Sequence, residues 1–245
     1  MNRKKAIVSW SGGKDSALAL FYAQQNPELE IVGLMTSVNE RFGRVSMHGV
    51  RTKLIQAQAD ALRLPLQFVR FSGEVSLEIY NATMQKTFAA LRDEGISRVV
   101  YGDIFLEDLK QYRERQLERA GLQGVFPLWK KDSGNIMEEF LALGFRTVLV
   151  CLNENHLPEP WAGRELDLSA VQELPASVDP CGENGEYHTF VFDGPTFSRP
   201  VKFIKGEVIR RTYEPSGSTD CHADTEARQR WDTGFIFQDL IPNVD

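Results

Sequence analysis

The sequence predicts an α/β fold: a parallel five-stranded sheet sandwiched by helices, with a smaller α+β portion behind it. Three observations carry this. Short apolar runs alternate with longer segments of helical period through the first half of the chain. A glycine-rich turn, Ser11-Gly12-Gly13, joins the first apolar run directly to a helix-forming stretch. After residue 151 the alternation stops, and prolines and short alternating runs take over.

The elements follow in order. Ala6-Ile7-Val8-Ser9-Trp10 reads as a buried strand and Ala17 to Ala23 as a helix. Glu30 to Met35 is a second strand, and the spacing of Leu54, Ala57, Ala61 and Leu62 predicts a helix over Val50 to Leu62. Leu66 to Val69, begun by Pro65, is a third strand, and Val75 to Leu91 is an amphipathic helix followed by Gly95. Arg98 to Tyr101 is a fourth strand that ends at Gly102. Leu106 to Ala120 is a polar helix with Gly121 at its stop. Beyond Val125 to Trp129 the rhythm predicts one more round: a helix around Ile136 to Leu143, then a strand from Arg146 to Cys151.

The rest is less regular. Leu157 to Pro160 and Leu174-Pro175 are loop signals, and residues 187–193 alternate like a strand. Val201 to Ile204 and Val208 to Arg211 read as a hairpin around Lys205-Gly206. Residues 215–228 are polar and read as a mobile tail, with Phe235-Ile236-Phe237 docking after it. The domain division expected from this pattern is 1–128 and 129–245.

Composition narrows the class. A hydrophobic content of 42% with 25% charged residues is that of a soluble globular protein. The chain has no apolar run of membrane-spanning length, and the basic start Met1-Asn2-Arg3-Lys4-Lys5 lacks the apolar stretch of a signal peptide. A cytoplasmic enzyme is the expectation. Cys151, Cys181 and Cys221 are widely spaced, which argues against a zinc site, an iron–sulfur site or a disulfide framework. A net charge of −6 argues against a long nucleic-acid partner. A homodimer is compatible with all of this.

Ser11-Gly12-Gly13-Lys14-Asp15-Ser16 makes an anion site by its geometry. The glycines let the backbone approach a phosphate, the first N–H groups of the helix have no internal partner, and the helix dipole and Lys14 add positive charge. A Walker A loop is excluded by spacing, since Gly13-Lys14 is followed by Asp15 and no glycine lies five positions before Gly13. The order of strand, Ser-Gly-Gly-Lys-Asp-Ser and helix resembles the PP-loop of ATP pyrophosphatases, which cleave ATP between the α and β phosphates. In a parallel sheet of this kind ligands bind beyond the carboxyl ends of the strands. The turns after Ser9, after Met35 and after Tyr101 are expected to converge there.

The second informative stretch runs from Cys181 to Phe190 and holds Gly182, Glu183, Asn184, Gly185, Glu186, Tyr187, His188 and Thr189. Together with Ser11 to Ser16, and with the block from Tyr101-Gly102-Asp103-Ile104 through Gly121-Leu122 to Pro127-Leu128-Trp129, it resembles the diphthine–ammonia ligase family of PP-loop enzymes. These blocks span most of residues 6 to 195. The chain departs from the family pattern with Asn184 and His188, where Gly and Glu are usual, and with Asp103 and the helix Glu107 to Glu114, features of a bacterial-type branch.

The resemblance implies an adenine nucleotide α-hydrolase-like, Rossmann-like N-terminal sheet and a C-terminal part that binds substrate. It implies that ATP adenylates a carboxylate and that ammonia displaces AMP, leaving an amide; in the family the carboxylate is that of diphthine, a modified histidine of a translation elongation factor. The acceptor here is a small-molecule or protein-borne carboxylate. The expected nucleotide residues are Ser9, Ser11, Gly12, Gly13, Lys14, Asp15, Ser16, Met35, His48, Arg51, Gly102 and Asp103. Asp15 and Asp103 are candidate ligands for Mg²⁺, a hard cation that takes oxygen donors. The candidate substrate contacts are Arg113, Glu183, Asn184, Glu186, Tyr187 and Thr189. Lys14, Asp15, Glu183, Glu186 and His188 are the candidate catalytic groups, with His188 a base for the ammonia proton. Two other readings share the fold: a PP-loop tRNA-modifying enzyme, whose thiolating members carry paired cysteines absent here, and a non-catalytic adenine-nucleotide module.

Overall fold

The computed structural model describes residues 3–40, 43–45, 48–72, 75–212 and 234–243. Five parallel strands form the first sheet: β1 (Lys4–Ser9), β2 (Leu29–Asn39), β4 (Leu66–Phe71), β5 (Arg98–Val100) and β6 (Gln123–Val125). Their spatial order is β4-β2-β1-β5-β6, and the two-residue β3 (Arg44–Val45) adds to β2 antiparallel. Order reverses at β1. The chain leaves β1 to build outward through β2 and β4, then returns to β5 on the other side. The switch point of the topology therefore lies at the carboxyl ends of β1 and β5, where an open sheet of this kind has its ligand crevice.

Alternation of side chains fills both faces of this sheet. Ala6 and Val8 of β1 join one core, whereas Ile7 between them joins the other. The first core holds α1 (Lys14–Gln25) and α2 (Thr52–Leu62), the second α3 (Leu77–Asp93) and α4 (Glu107–Ala120). Helix stops are local chemistry: α4 ends on Gly121 at φ 76°, as its sequence demands, and α3 starts on Ser76, whose hydroxyl accepts the Ile79 N–H.

The C-terminal half forms a second, antiparallel sheet of order β8-β7-β10-β9, from β7 (Arg146–Asn153), β8 (Tyr187–Asp193), β9 (Phe203–Thr212) and β10 (Gly234–Pro242). Its apolar residues Val148, Phe190 and Ile236 belong to the same core as Ala6 and Leu18. The two sheets therefore share one hydrophobic interior across α1. α5 (Ser133–Ala142) and the short α6 (Leu168–Gln172) complete the layers.

Three expectations need correction. β2 runs on to Asn39, so Met35 is not at a loop but 3% exposed inside the strand, because β3 and β4 both pair with its far end. β7 does not continue the parallel sheet. It is buried from Thr147 to Leu152, as a central strand should be, but its partners β8 and β10 come later in the chain. Residues 203–212 are one strand and not a hairpin. Gly206 sits where Gln238 pairs with Val208 and Leu240 with Lys205, an irregularity that needs one extra residue on β9. The helix α6 has no strong signal in its five residues. The polar stretch 215–228 and Cys221 lie outside the described residues. Cys151 and Cys181 are buried and free. Among the described residues no helix is long and apolar enough to cross a membrane.

One side chain ties the layers together. Gln58 of α2 is fully buried; its Oε1 accepts the Trp10 indole N–H at 2.9 Å, and its Nε2 donates to the Gly12 carbonyl at 3.0 Å and the Val191 carbonyl at 2.6 Å. Gln58→Ala removes three buried hydrogen bonds; the Gly12 carbonyl keeps the Val191 N–H, but the Trp10 indole N–H is stranded, at about 1–3 kcal/mol, and each of the other two lost bonds adds about 1 kcal/mol. The expected outcome in urea unfolding is a loss of about 3 kcal/mol or more; a midpoint equal to wild type would show that this bridge carries no stability.

Candidate active site

The glycine turn leaves β1 at Ser9 and enters α1 at Lys14. Gly12 has φ 83°, and a side chain there would run into Ile55 and Gln58. The turn is stabilised from within: Ser11 Oγ accepts the Gly13 N–H at 3.2 Å and lies 3.3 Å from Ser16 Oγ, which donates to the Gly13 carbonyl at 2.8 Å. It is also held from the second sheet. The Lys14 N–H donates to Thr189 Oγ1 at 3.0 Å and the Val191 N–H to the Gly12 carbonyl at 2.9 Å. Thr189 thus meets the helix terminus where an anion's oxygen would.

Lys14 is 3% exposed. Its ammonium lies 2.8 Å from both Asp15 oxygens and 5.5 Å from the centre of the Tyr187 ring. Burial works against its charge, but the Asp15 carboxylate more than offsets this, and its pKa is raised. Tyr187 is buried, and its hydroxyl donates to the Pro180 carbonyl.

The loop after β5 comes in from the other side of the crevice. Gly102 packs so closely on Asp15 that a Cβ would lie 2.7 Å from the Asp15 carbonyl carbon. Asp103 follows, 8% exposed, with its Oδ2 3.0 Å from Arg113 Nε. The Arg113 guanidinium lies 4.4 Å from the centre of the Tyr101 ring. Burial raises the Asp103 pKa against the pull of Arg113, and Asp15 adds to the rise.

Residues 181–186 close the third side. Glu183 reaches across, and its Oε1 accepts the Ile104 N–H at 2.9 Å. Burial, then the charge of Asp15, pushes its carboxyl up to about 7. Glu186 does something different. It is 1% exposed, and its carboxylate accepts the Asp179 N–H at 3.0 Å, the Asn184 N–H at 2.9 Å and the Asn184 side-chain amide at 3.1 Å. Those bonds keep it inside its own turn. Asp179 supports the same turn, accepting from the N–H groups of Cys181 and Glu183.

The two histidine rings lie 4.6 Å apart, centre to centre, tilted 33° to each other. His48 lies against Gly13 with Nδ1 3.0 Å from the Thr189 carbonyl, and burial brings its pKa down to about 4. His188 Nε2 is buried without a hydrogen bond; burial, His48 and Lys14 hold its pKa well below the usual histidine value. Both rings are neutral at pH 7. Arg51 is engaged elsewhere: it caps the start of α2 and bonds Asp239 of β10 at 2.6 Å, with Arg44 on the same carboxylate at 2.8 Å.

The structure therefore gathers Ser11 to Ser16, His48, Gly102, Asp103, Glu183, Tyr187, His188 and Thr189 around one crevice. Met35 lies in the core on the α3–α4 side of the sheet, Ser9 lies at the strand end, and Arg51, Arg113 and Glu186 are committed to other protein groups. Sequence reasoning missed Gln58 and Asp179. Gln58 had a readable signal, a polar residue on the same helix face as Leu54, Ile55 and Leu62. Asp179 had none.

Among the described residues no group of three or more His, Cys, Asp and Glu is placed to hold a metal ion. Mg²⁺ at a nucleotide asks for less: one or two carboxylates, with phosphate oxygens and water making up the rest. Asp15 and Asp103 fit that demand. Asp103 Oδ2 is buried and makes no hydrogen bond despite its ion pair, and Asp15 raises the pKa of both Asp103 and Glu183, a repulsion that a cation relieves.

In the free protein the Glu183 carboxyl should titrate near pH 7, read by carbon NMR against a Glu183→Gln spectrum. The sign for stability follows. A carboxyl whose folded pKa is raised favours the fold while protonated, fully below the unfolded value and decreasingly as pH rises through about 7. Glu183→Gln should flatten the stability change over that window; a titration near the ordinary value would show the site is open to water.

Known proteins resemble this chain over these same segments. Residues 4–124 match the family model of the diphthamide synthase N-terminal domain, and residues 132–233 match that of the C-terminal domain. The diphthine–ammonia ligase of Schizosaccharomyces pombe is 24% identical over 269 residues, covering 98% of this chain and 43% of the yeast protein. That of Rattus norvegicus is 29% identical over 229 residues, covering 84% of this chain and 85% of the rat protein. The chain thus spans less than half the length of the yeast relative. A solved U34-tRNA thiolase from Methanococcus maripaludis superposes over 58% of each chain with 17% identity and a TM-score of 0.35, too little to bear on the site. Since the two matched segments run from residue 4 to residue 233 and contain every wall of the crevice, the chain belongs to the diphthamide synthase family.

Proposed function

We propose that the protein is an ATP-dependent amide-forming ligase, like the diphthine–ammonia ligases to which it is similar. The observation that carries this is a convergence. A helix terminus with a buried lysine, a pair of carboxylates suited to Mg²⁺, and a glutamate with a raised pKa meet at one end of the sheet, from three separate stretches of chain. In this reading residues 1–128 hold the nucleotide and 129–245 present the acceptor. ATP, ammonia and a small-molecule or protein-borne carboxylate are the partners, a homodimer is compatible, and the location is cytoplasmic.

The reaction has two steps. An acceptor carboxylate oxygen bonds to the α-phosphorus while the bond to the bridging oxygen breaks and pyrophosphate leaves. Ammonia nitrogen then bonds to the acyl carbon, the acyl–oxygen bond breaks, and AMP leaves with one proton lost from nitrogen. The protein must stabilise the charge that develops on phosphate oxygens. The N–H groups at the start of α1, Lys14 and the Ser11 and Ser16 hydroxyls are placed for the pyrophosphate. Lys14 Nζ would exchange Asp15 for phosphate, which frees Asp15, with Asp103, to hold Mg²⁺; bound there, the ion would neutralise phosphate charge. Thr189 gives up the Lys14 N–H as the anion takes it. Glu183, titrating near neutrality, is the group best able to take the ammonia proton; His188, whose protonated form burial disfavours, is the weaker base. Glu186 shapes the turn that carries Glu183.

With labelled ATP, ammonia and a panel of carboxylates that includes a diphthine-bearing translation elongation factor, the expected products are AMP and pyrophosphate. ADP and phosphate as the sole products would end this reading. Lys14→Ala should slow AMP formation by about 10²–10³-fold with the fold retained by circular dichroism. An undiminished rate would remove Lys14 from the chemistry.

A further inference from the structure

A carboxylate that approaches a nucleotide meets several negative charges, so a cation on the acceptor side lowers the repulsion. Two cations of α4 lie on that side, Lys110 and Arg113, three positions apart and so on one face of the helix. Arg113 is not free for the acceptor. Its Nε is 3.0 Å from the buried Asp103 Oδ2, and its guanidinium is 4.4 Å from the Tyr101 ring centre. Drawing it away would strand a buried carboxylate without its counter-charge.

Lys110 is held in a different way. Its ammonium lies 5.0 Å from the Phe126 ring centre and 5.2 Å from that of Trp129. Aromatic faces fix an ammonium in place without neutralising it. Its counter-ion is Glu114, one turn along α4, with a side chain 45% exposed. The lysine side chain is 18% exposed, but its carboxylate partner is open to water, so an incoming carboxylate can displace it. Phe126 in turn stacks on Tyr101, ring centres 5.5 Å apart, and Tyr101 directly precedes Gly102 and Asp103, so the ammonium sits beside the β5 loop that walls the crevice.

We propose that Lys110, seated on the faces of Phe126 and Trp129, reads the acceptor's carboxylate by exchanging Glu114 for it. The acceptor is then an ionised carboxylate met by an ammonium, and Arg113 serves to position Asp103. This rests on the ligase reading and deepens it.

The test uses the full chain with ATP, ammonia and two acceptors, a diphthine-bearing translation elongation factor and free L-glutamate, with AMP release as the readout. Lys110→Met should raise the acceptor KM roughly ten- to a hundredfold, the effect of losing one charged hydrogen bond, while the ATP KM stays at the wild-type value. Lys110→Arg should recover most of the loss. Glu114→Gln should act in the opposite direction and lower the acceptor KM, because it releases the ammonium. A purely structural helix pair would move both variants the same way, and that result overturns the proposal. So does a wild-type acceptor KM in Lys110→Met. If the wild-type protein forms AMP while Lys110→Met keeps its KM, only the role of Lys110 falls. If the wild-type protein forms AMP with neither acceptor, the ligase reading falls and this inference with it.

Discussion

The docking of β8 against the glycine turn governs the rest of this molecule. Two backbone groups of the turn, the Lys14 N–H and the Gly12 carbonyl, are met by Thr189 and Val191 of β8, some 175 residues away in the chain. Gln58 completes the junction by donating to both Gly12 and Val191. Buried backbone groups need partners, so the turn and β8 each satisfy what the other leaves open. Once they are joined, Tyr187 lies under Lys14, and the loop before β8 must hang over the crevice beside Asp103. The shared apolar core across α1 supplies the bulk of the adhesion; the hydrogen bonds set the register.

The charges in the crevice are balanced but not relaxed. Lys14 is paired with Asp15 and Arg113 with Asp103, yet the Asp103 and Glu183 carboxyls both have raised pKa values. Burial is the largest cause in each case, and the neighbouring carboxylate of Asp15 adds to it. A site that withholds water from two acids is costly to keep as it stands. It becomes favourable when a cation and a polyanion enter together, because each then meets fixed groups of opposite sign already in place. The histidines add no positive charge, since His48 and His188 are both driven neutral. Their tilted rings form an uncharged wall, with His48 against Gly13.

Much of this was legible in the residues. Alternating strand and helix signals defined the first sheet, because local period and glycine stops are properties of short segments. Ser11 to Ser16 announced an anion site, because a strand, a glycine turn and a helix leave backbone N–H groups unpaired whatever surrounds them. The turn from Gly182 to Glu186 was visible as unusual, and so were its two glutamates. Their different fates were not. Glu183 bonds across to Ile104 and Glu186 bonds back into its own turn, a choice made by Asp179 and by the approach of the β5 loop. Arg51 and Arg113 looked like free cations in the sequence, and each proved to have a carboxylate partner, Asp239 and Asp103.

The sequence by itself determined the parallel α/β sheet, the position of the nucleotide-binding turn and the small set of polar residues from which a site could be drawn. These are consequences of period, backbone freedom and side-chain chemistry within stretches of ten or so residues. Only the tertiary structure decided that β7 belongs to a second, antiparallel sheet, that residues 203–212 are one strand, and which of the candidate charges face the crevice. Strand partnership and charge pairing depend on groups that lie far apart in the chain, and no local pattern encodes which of several possible partners will arrive.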